Sequence, residues 1–284
     1  MVINKTFINY LLISISLLFV GCAYFTTHGR AFKRAEKAVS QSDFDLAVNE
    51  CISSLNKNPS YQPAIDLLED IFPAAVKKHH NTIDNHINSQ KQFHWDPVVT
   101  ELNTLISLVD NLNSLGMTQI EVWLFKAEVR DYHSELEDVQ INAAESHYQA
   151  GLKNMGFDDR KHLRSAASEF KTAMQYLEDY KDSSTLYQQC RVAASLRLAI
   201  LPFENKSGKK KYGGIGNTLS NDVISRLLQN DELMEFVDII NRDQLDLIIE
   251  EQKLSHSGLI DPSNSIELGK IVGIHRLLVG EVTQ

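Results

Sequence analysis

The chain is poor in several residue types that would assign it quickly. It has three cysteines, Cys22, Cys51 and Cys190, with no CxxC pair, so cysteine alone cannot build a zinc site. Cys51 and Cys190 fall in helical patterns at positions expected to face inward, and nothing in their spacing indicates a structural disulfide. Positive charge is scarce as well. There are 28 Lys and Arg against 37 Asp and Glu, for a net charge of -9 and a pI near 5.6. Without a broad basic field to hold phosphates, nucleic-acid binding is excluded as the main task.

Catalytic constellations are missing too. Gly208 to Tyr212 followed by Gly213-Gly214-Ile215-Gly216 invites comparison with a phosphate loop. That loop needs Lys and then Ser or Thr after its second Gly, where this chain has Gly214 and Ile215, so a flexible loop is expected. His79, His80 and His86 have no carboxylate or cysteine at ligand spacing and read as histidines of a solvated helix face. Ser207 and Ser257 lack a nucleophile-elbow context and an evident base. The expectation is a protein without catalytic residues, metal ligands or cofactor, and not an enzyme.

What is present begins at the N-terminus. Lys5 precedes an apolar stretch from Phe7 to Val20 that closes on Gly21-Cys22. The stretch is shorter than the roughly 20 residues of a membrane-spanning helix and reads as a signal peptide. Phe19-Val20-Gly21-Cys22 resembles a bacterial lipobox, which implies that Cys22 becomes the acylated N-terminus. The alternatives are an ordinary secretory leader with an incidental cysteine, or an uncleaved anchor. Two or more acyl chains hold a protein stably on a membrane surface. Ala23 after the cysteine points to the outer membrane, if the sorting habit of enteric lipoproteins applies.

Residues 23 to 195 read as helical. Ala31, Ala35, Ala38 and Val39 share one face, Ser42-Asp43 makes a turn, and Phe44, Ala47, Val48, Cys51, Ser54 and Leu55 form the next face before Asn58-Pro59. Small residues around Phe44 let two antiparallel helices approach closely, which is the tetratricopeptide pattern. A second copy opens at Tyr148 and Gly151 and continues through Ala166, Phe170 and Ala173. A further hairpin follows Tyr180 to Ser183. Generic helical hairpins remain the alternative for these copies. Phe44, Tyr148 and Phe170 are the candidate partner-binding residues. Between the copies, Asp96-Pro97 is expected to cap a helix carrying Val98, Leu102, Leu105, Val109 and Leu112 up to Gly116. Thr118 to Glu121 offers a capping box for a helix bearing Trp123, Phe125 and Val129.

The pattern changes near Ser195. Leu198 to Phe203 reads as an apolar strand, Glu204 to Tyr212 as a polar loop, and Ile215, Leu219, Val223, Leu227 and Leu228 as an amphipathic helix. Glu235 to Ile240 is a second strand, helices are expected from Asn241 and Asp261, and Arg276 to Val282 is a third strand. This order describes a sheet covered by helices. The fold class expected for the whole chain is α+β, mostly α. Residues 1–22 form the leader, 23–195 the helical repeats and 196–284 a β-α-β-α-α-β domain.

Ordered blocks in the last part carry a family resemblance. They are Leu201-Pro202-Phe203-Glu204-Asn205-Lys206-Ser207-Gly208, Asn241-Arg242-Asp243-Gln244-Leu245, Glu250-Glu251-Gln252, Ser257 to Pro262, Leu268 to Ile274 and Val279-Gly280-Glu281-Val282. Over about residues 197 to 284 the chain resembles the CsgG family. A weaker resemblance links it to the N-terminal domain of TolB and to FlgO-like flagellar lipoproteins. The CsgG resemblance implies an outer-membrane lipoprotein that assembles as a homo-oligomeric ring in curli-type export, facing the periplasm. It also implies that the loop after the first strand narrows a channel, which makes Asn205, Lys209 and Tyr212 the constriction-loop candidates. The chain stops at Gln284, and no segment alternates over the 9 to 11 residues of a transmembrane strand. The expectation is therefore either a fragment or a membrane-tethered relative that builds no pore alone. Its partners would be the membrane, through the lipid, and a protein docked on the repeats, with no nucleic acid. The alternative function is a periplasmic scaffold lipoprotein with no transport role.

Overall fold

The computed structural model describes residues 26–157, 159–208, 213–240 and 274–283. Mostly helical, with a small sheet near the C-terminus, it has the expected fold class. The chain forms two compact units, residues 1–146 and 147–284.

In the first unit, α1 (Thr27–Ser40) and α2 (Phe44–Lys57) form the first hairpin. Thr26 caps α1 by accepting from Gly29 N, and Asp43 caps α2 by accepting from Leu46 N. Each such cap contributes about 1 kcal/mol. Ser42 makes the sharp turn with φ 57. The small residues lie where the helices meet, since Ala31, Ala35, Ala38, Ala47, Cys51 and Ser54 are all buried. Burial, and then the charges of Glu50 and Glu36, push the Cys51 thiol up to about 12, so it is an inert packing residue. Outside the seam, Arg34 donates to both carboxylate oxygens of Glu50 at 2.6 and 2.7 Å.

Three further helices complete this core: α3 (Gln62–Ser89), α4 (Trp95–Asn113) and α5 (Ile120–Lys126). Val98, Leu102, Leu105 and Leu112 are buried as the heptad stripe requires, joined by Leu108, while Val109 is half-buried. Two expected helix starts differ from the sequence reading. The cap of α4 is His94, with Asp96 and Pro97 already inside the first turn, and α5 starts after Gln119 without a side-chain cap or the expected capping box. Trp123 is buried, but Phe125 is 87 % exposed, because a seven-residue helix offers only one narrow inward face.

His79 ties three helices together. Only 6 % exposed, it lies on α3, with Nε2 2.9 Å from Asp45 on α2 and Nδ1 bonded to Glu101 on α4. Neighbouring His80 bonds Tyr132 Oη at 2.8 Å instead of facing solvent. The hydrogen bond to Asp45, supported by Glu101, raises the pKa of His79 against the opposing effect of burial, and the same bond lowers that of Asp45.

The second unit contains the end of α6 (Tyr132–Met155), then α7 (Arg160–Tyr176) and α8 (Ser183–Ala194). Gly151 permits α6 and α7 to touch, since a Cβ at this position would lie 2.6 Å from the Phe170 ring. Strands β1 (Leu196–Ile200), β3 (Val237–Ile240) and β4 (Arg276–Leu278) make a parallel sheet in the order β3-β1-β4. The expected third strand is split. Its first part is β4, and its last residues form β5 (Glu281–Val282), which pairs in parallel with β2 (Glu204–Asn205). Helices α9 (Ile215–Leu228) and α10 (Asp231–Met234) connect β2 to β3. On α9 the buried positions are Gly216 and Ser220, whereas Leu219 and Leu228, expected inward, are exposed. Phe236 joins the hairpin core of Ala166, Ala167, Phe170 and Cys190, so the last helices and the sheet share one packing unit. The helix starts expected at Asn241 and Asp261 lie outside the described residues.

Two measurements check this packing. A raised histidine pKa contributes stability that is complete below the unfolded value of 6.5 and is lost as pH rises through the folded value. The lowered Asp45 contributes stability above the carboxylate range that is lost on acidification, so the stability maximum lies between the two. His79→Gln is expected to cost about 1–3 kcal/mol at pH 6 and to flatten the fall in melting temperature between pH 6 and pH 9. An equal fall in both proteins would exclude this bridge as its cause. Gly151→Val should destabilise the protein by about 1–3 kcal/mol in urea unfolding, through overpacking against Phe170.

Candidate functional site

Among the described residues, the first and last motif blocks of the C-terminal part, 201–208 and 279–282, meet at one corner of the second unit. The chain leaves β1 through Leu201-Pro202-Phe203, and Phe203 is held between two glycines. A Cβ on Gly216 would lie 1.8 Å from the Phe203 carbonyl oxygen, and one on Gly280 would lie 2.7 Å from its ring. No other residue type fits at Gly216 without moving the backbone. Phe203 N also donates to Gly216 O at 3.4 Å, and Glu204 N to Gly280 O at 2.8 Å. This clamp brings together the turn after β1, the start of α9 and the Val279-Gly280-Glu281-Val282 block.

Charge and turn chemistry then form a lip around β2 and β5. Lys206 Nζ bonds Glu281 and lies 3.3 Å from Glu204, joining the two strands on their solvent side. The bonds to Glu281 and then Glu204 raise the Lys206 pKa. Being fully exposed, they set local geometry and add little to stability. Asn205 Oδ1 accepts from Ser207 N at 3.1 Å and from Ser207 Oγ at 2.6 Å, closing an Asx turn, and Gly208 follows at φ +70. The Ser207 hydroxyl is thus a turn element. The lip presents donors, acceptors and a lysine.

Of the constriction-loop candidates, Asn205 sits at the root of the loop with its side chain committed to that turn, while Lys209 and Tyr212 lie outside the described residues. Cys22 does as well. Phe44 is half-buried at the start of α2, with Lys78 Nζ 6.0 Å from its ring centroid. Tyr148 and Phe170 are brought together edge to face, 5.8 Å apart. Tyr148 keeps one accessible side, donates from Oη to Asp182 at 2.7 Å and lies under Lys181 Nζ at 4.7 Å. Phe170 is fully buried, which leaves no atom of it to touch a partner.

Sequence reasoning missed two features. The carboxylates around His79 come from residues 34 positions before it and 22 after, so local spacing could not reveal them. The exposed pair Val122 and Phe125 was hidden because a Trp-Leu-Phe run reads as core. Among the described residues, no group of three His, Cys, Asp or Glu could hold a metal ion, and no helix is long and apolar enough to cross a membrane.

Residues 178–284 match the family model described as curli production assembly/transport component CsgG. The match starts before α8 and so includes the helix whose Cys190 packs beside Phe236. No curated protein and no solved structure matches the chain. Gly216→Ala is expected to destabilise the protein more than Gly280→Ala, because the first methyl meets a backbone carbonyl and the second a ring that can turn. Urea midpoints in the reverse order would refute the clamp.

Proposed function

Residues 178–284 form a CsgG-family domain, and from that premise we propose that the chain is a lipid-anchored component of curli-type secretion or a related envelope assembly. The matched family is a curli production assembly and transport component, and the parallel pairing of β2 with β5 joins its first and last blocks in this chain. The protein is held by acyl chains on Cys22 at the periplasmic face of the outer membrane. Its C-terminal domain associates with further copies, and the helical hairpins of each unit offer a docking surface of their own, at the half-buried Phe44 in the first and at the accessible side of Tyr148 in the second. The alternative is a periplasmic scaffold lipoprotein that remains monomeric.

The observation carrying this reading is the meeting of the first and last family blocks, 201–208 and 279–282, at one corner. Phe203 touches both Gly216 and Gly280, and the loop proposed to line a channel follows Gly208. Palmitate labelling of cells making the intact chain is expected to mark the protein, and Cys22→Ser should abolish the label. Native mass measurement of the detergent-extracted protein is expected to give a ring-sized multiple of the single chain. A stable monomer would sink the assembly role in favour of the scaffold. Label retained in Cys22→Ser would sink the anchor.

A further inference from the structure

The second unit collects positive charge where the chain as a whole is acidic. Arg160, Lys161 and Arg164 of α7 and Arg276 of β4 line a pocket of about 490 Å³, completed by Ser165 and Leu196. With a net charge of -9, carboxylates are plentiful, yet none of these four cations has an ion-pair partner among the described residues. Three nearby carboxylates are engaged with other side chains. Asp159 bonds His162 at 2.5 Å, Glu169 bonds His147 at 2.6 Å, and Glu235 bonds Lys171 at 2.9 Å.

Arg164 is the central member. Its guanidinium lies over the Phe236 ring at 5.4 Å, which fixes the plane of the fork, and its Nε is buried without an acceptor. Buried donors in folded proteins nearly always have a partner, so the unpaired Nε marks Arg164 as a side chain whose hydrogen-bonding capacity the described residues leave partly unused. Arg276 uses one N-H on the His275 carbonyl at 3.2 Å, and the Ser165 hydroxyl donates back to the Lys161 carbonyl. Burial, and then the charges of Arg160, Arg197 and Arg276, hold the His275 imidazole below its ordinary pKa, so this side of the sheet is electropositive.

Planar guanidinium forks match the oxygens of phosphate, and a pocket of this size admits a small molecule larger than a single ion. We propose that the pocket formed by Arg160, Lys161, Arg164 and Arg276 binds a small phosphate-bearing ligand. Two sources share this chemistry: a soluble phosphate compound and the headgroup of an anionic phospholipid.

Calorimetric titration of the full-length, detergent-purified protein with inorganic pyrophosphate and with monomeric dihexanoylphosphatidylglycerol tests the site, with dihexanoylphosphatidylcholine as the control lipid. Saturable one-to-one binding of at least one anionic probe is expected. Arg164→Gln and Arg276→Gln should each weaken it at least ten-fold, and Lys153→Gln on α6 should leave it unchanged. Arg276 is exposed on its strand, so its variant tests the site even if loss of Arg164 disturbs the packing on Phe236. Preference for pyrophosphate assigns a soluble ligand, and preference for the glycerol lipid over the choline lipid assigns a headgroup. No saturable binding of either anionic probe, or affinity unaltered in both arginine variants, overturns the proposal.

Discussion

The contact of Phe203 with Gly216 and Gly280 organises the C-terminal unit. A β-strand that ends in Leu-Pro-Phe must turn away from its sheet, since proline removes a ladder donor. Here the following phenylalanine supplies a fixed point for that turn, because both facing residues lack a Cβ. From that point β2 is aligned with β5, Lys206 is set beside Glu204 and Glu281, and the next loop begins at Gly208. Short strands such as β2 and β5 would be marginal on their own. They persist because the clamp determines their register before their own hydrogen bonds are counted.

The helical parts depend on a related constraint, close approach through small side chains. Alanines, Cys51 and Ser54 at the α1–α2 seam and Gly151 against Phe170 let large residues fill the gaps between helices. Apolar packing of this kind is not directional enough to select one arrangement, and polar bridges add the selection. His79 with Asp45 and Glu101 does so in the first unit. In the second, Glu235 accepts from both Lys171 and Tyr187 at the edge of the sheet. That pairing has a further effect, because carboxylates engaged in such bridges leave the cations around Arg164 without an ion-pair partner among the described residues.

Much of the fold was legible in the sequence for simple reasons of period and punctuation. The heptad stripe of α4, the turn at Ser42-Asp43 and the strands around Ile200 and Leu278 follow from local patterns that packing had no cause to override. The misread elements are those where locality fails. The strand from Arg276 to Val282 divides because its two halves pair with different partners. Phe125 faces outward because the single inward face of α5 is taken by Trp123. Leu219 and Leu228 are exposed because glycine and serine hold the contact face of α9.

The sequence by itself determined the fold class, the first hairpin with its turn, and the family resemblance of the C-terminal part, since each of these is written in spacing between near neighbours. Tertiary structure alone decided which distant residues meet: Phe203 with its two glycines, His79 with its two carboxylates, and four cations around one pocket. Such meetings depend on how helices and strands are laid against one another. Chain separations of tens of residues leave no periodic trace from which they could be read.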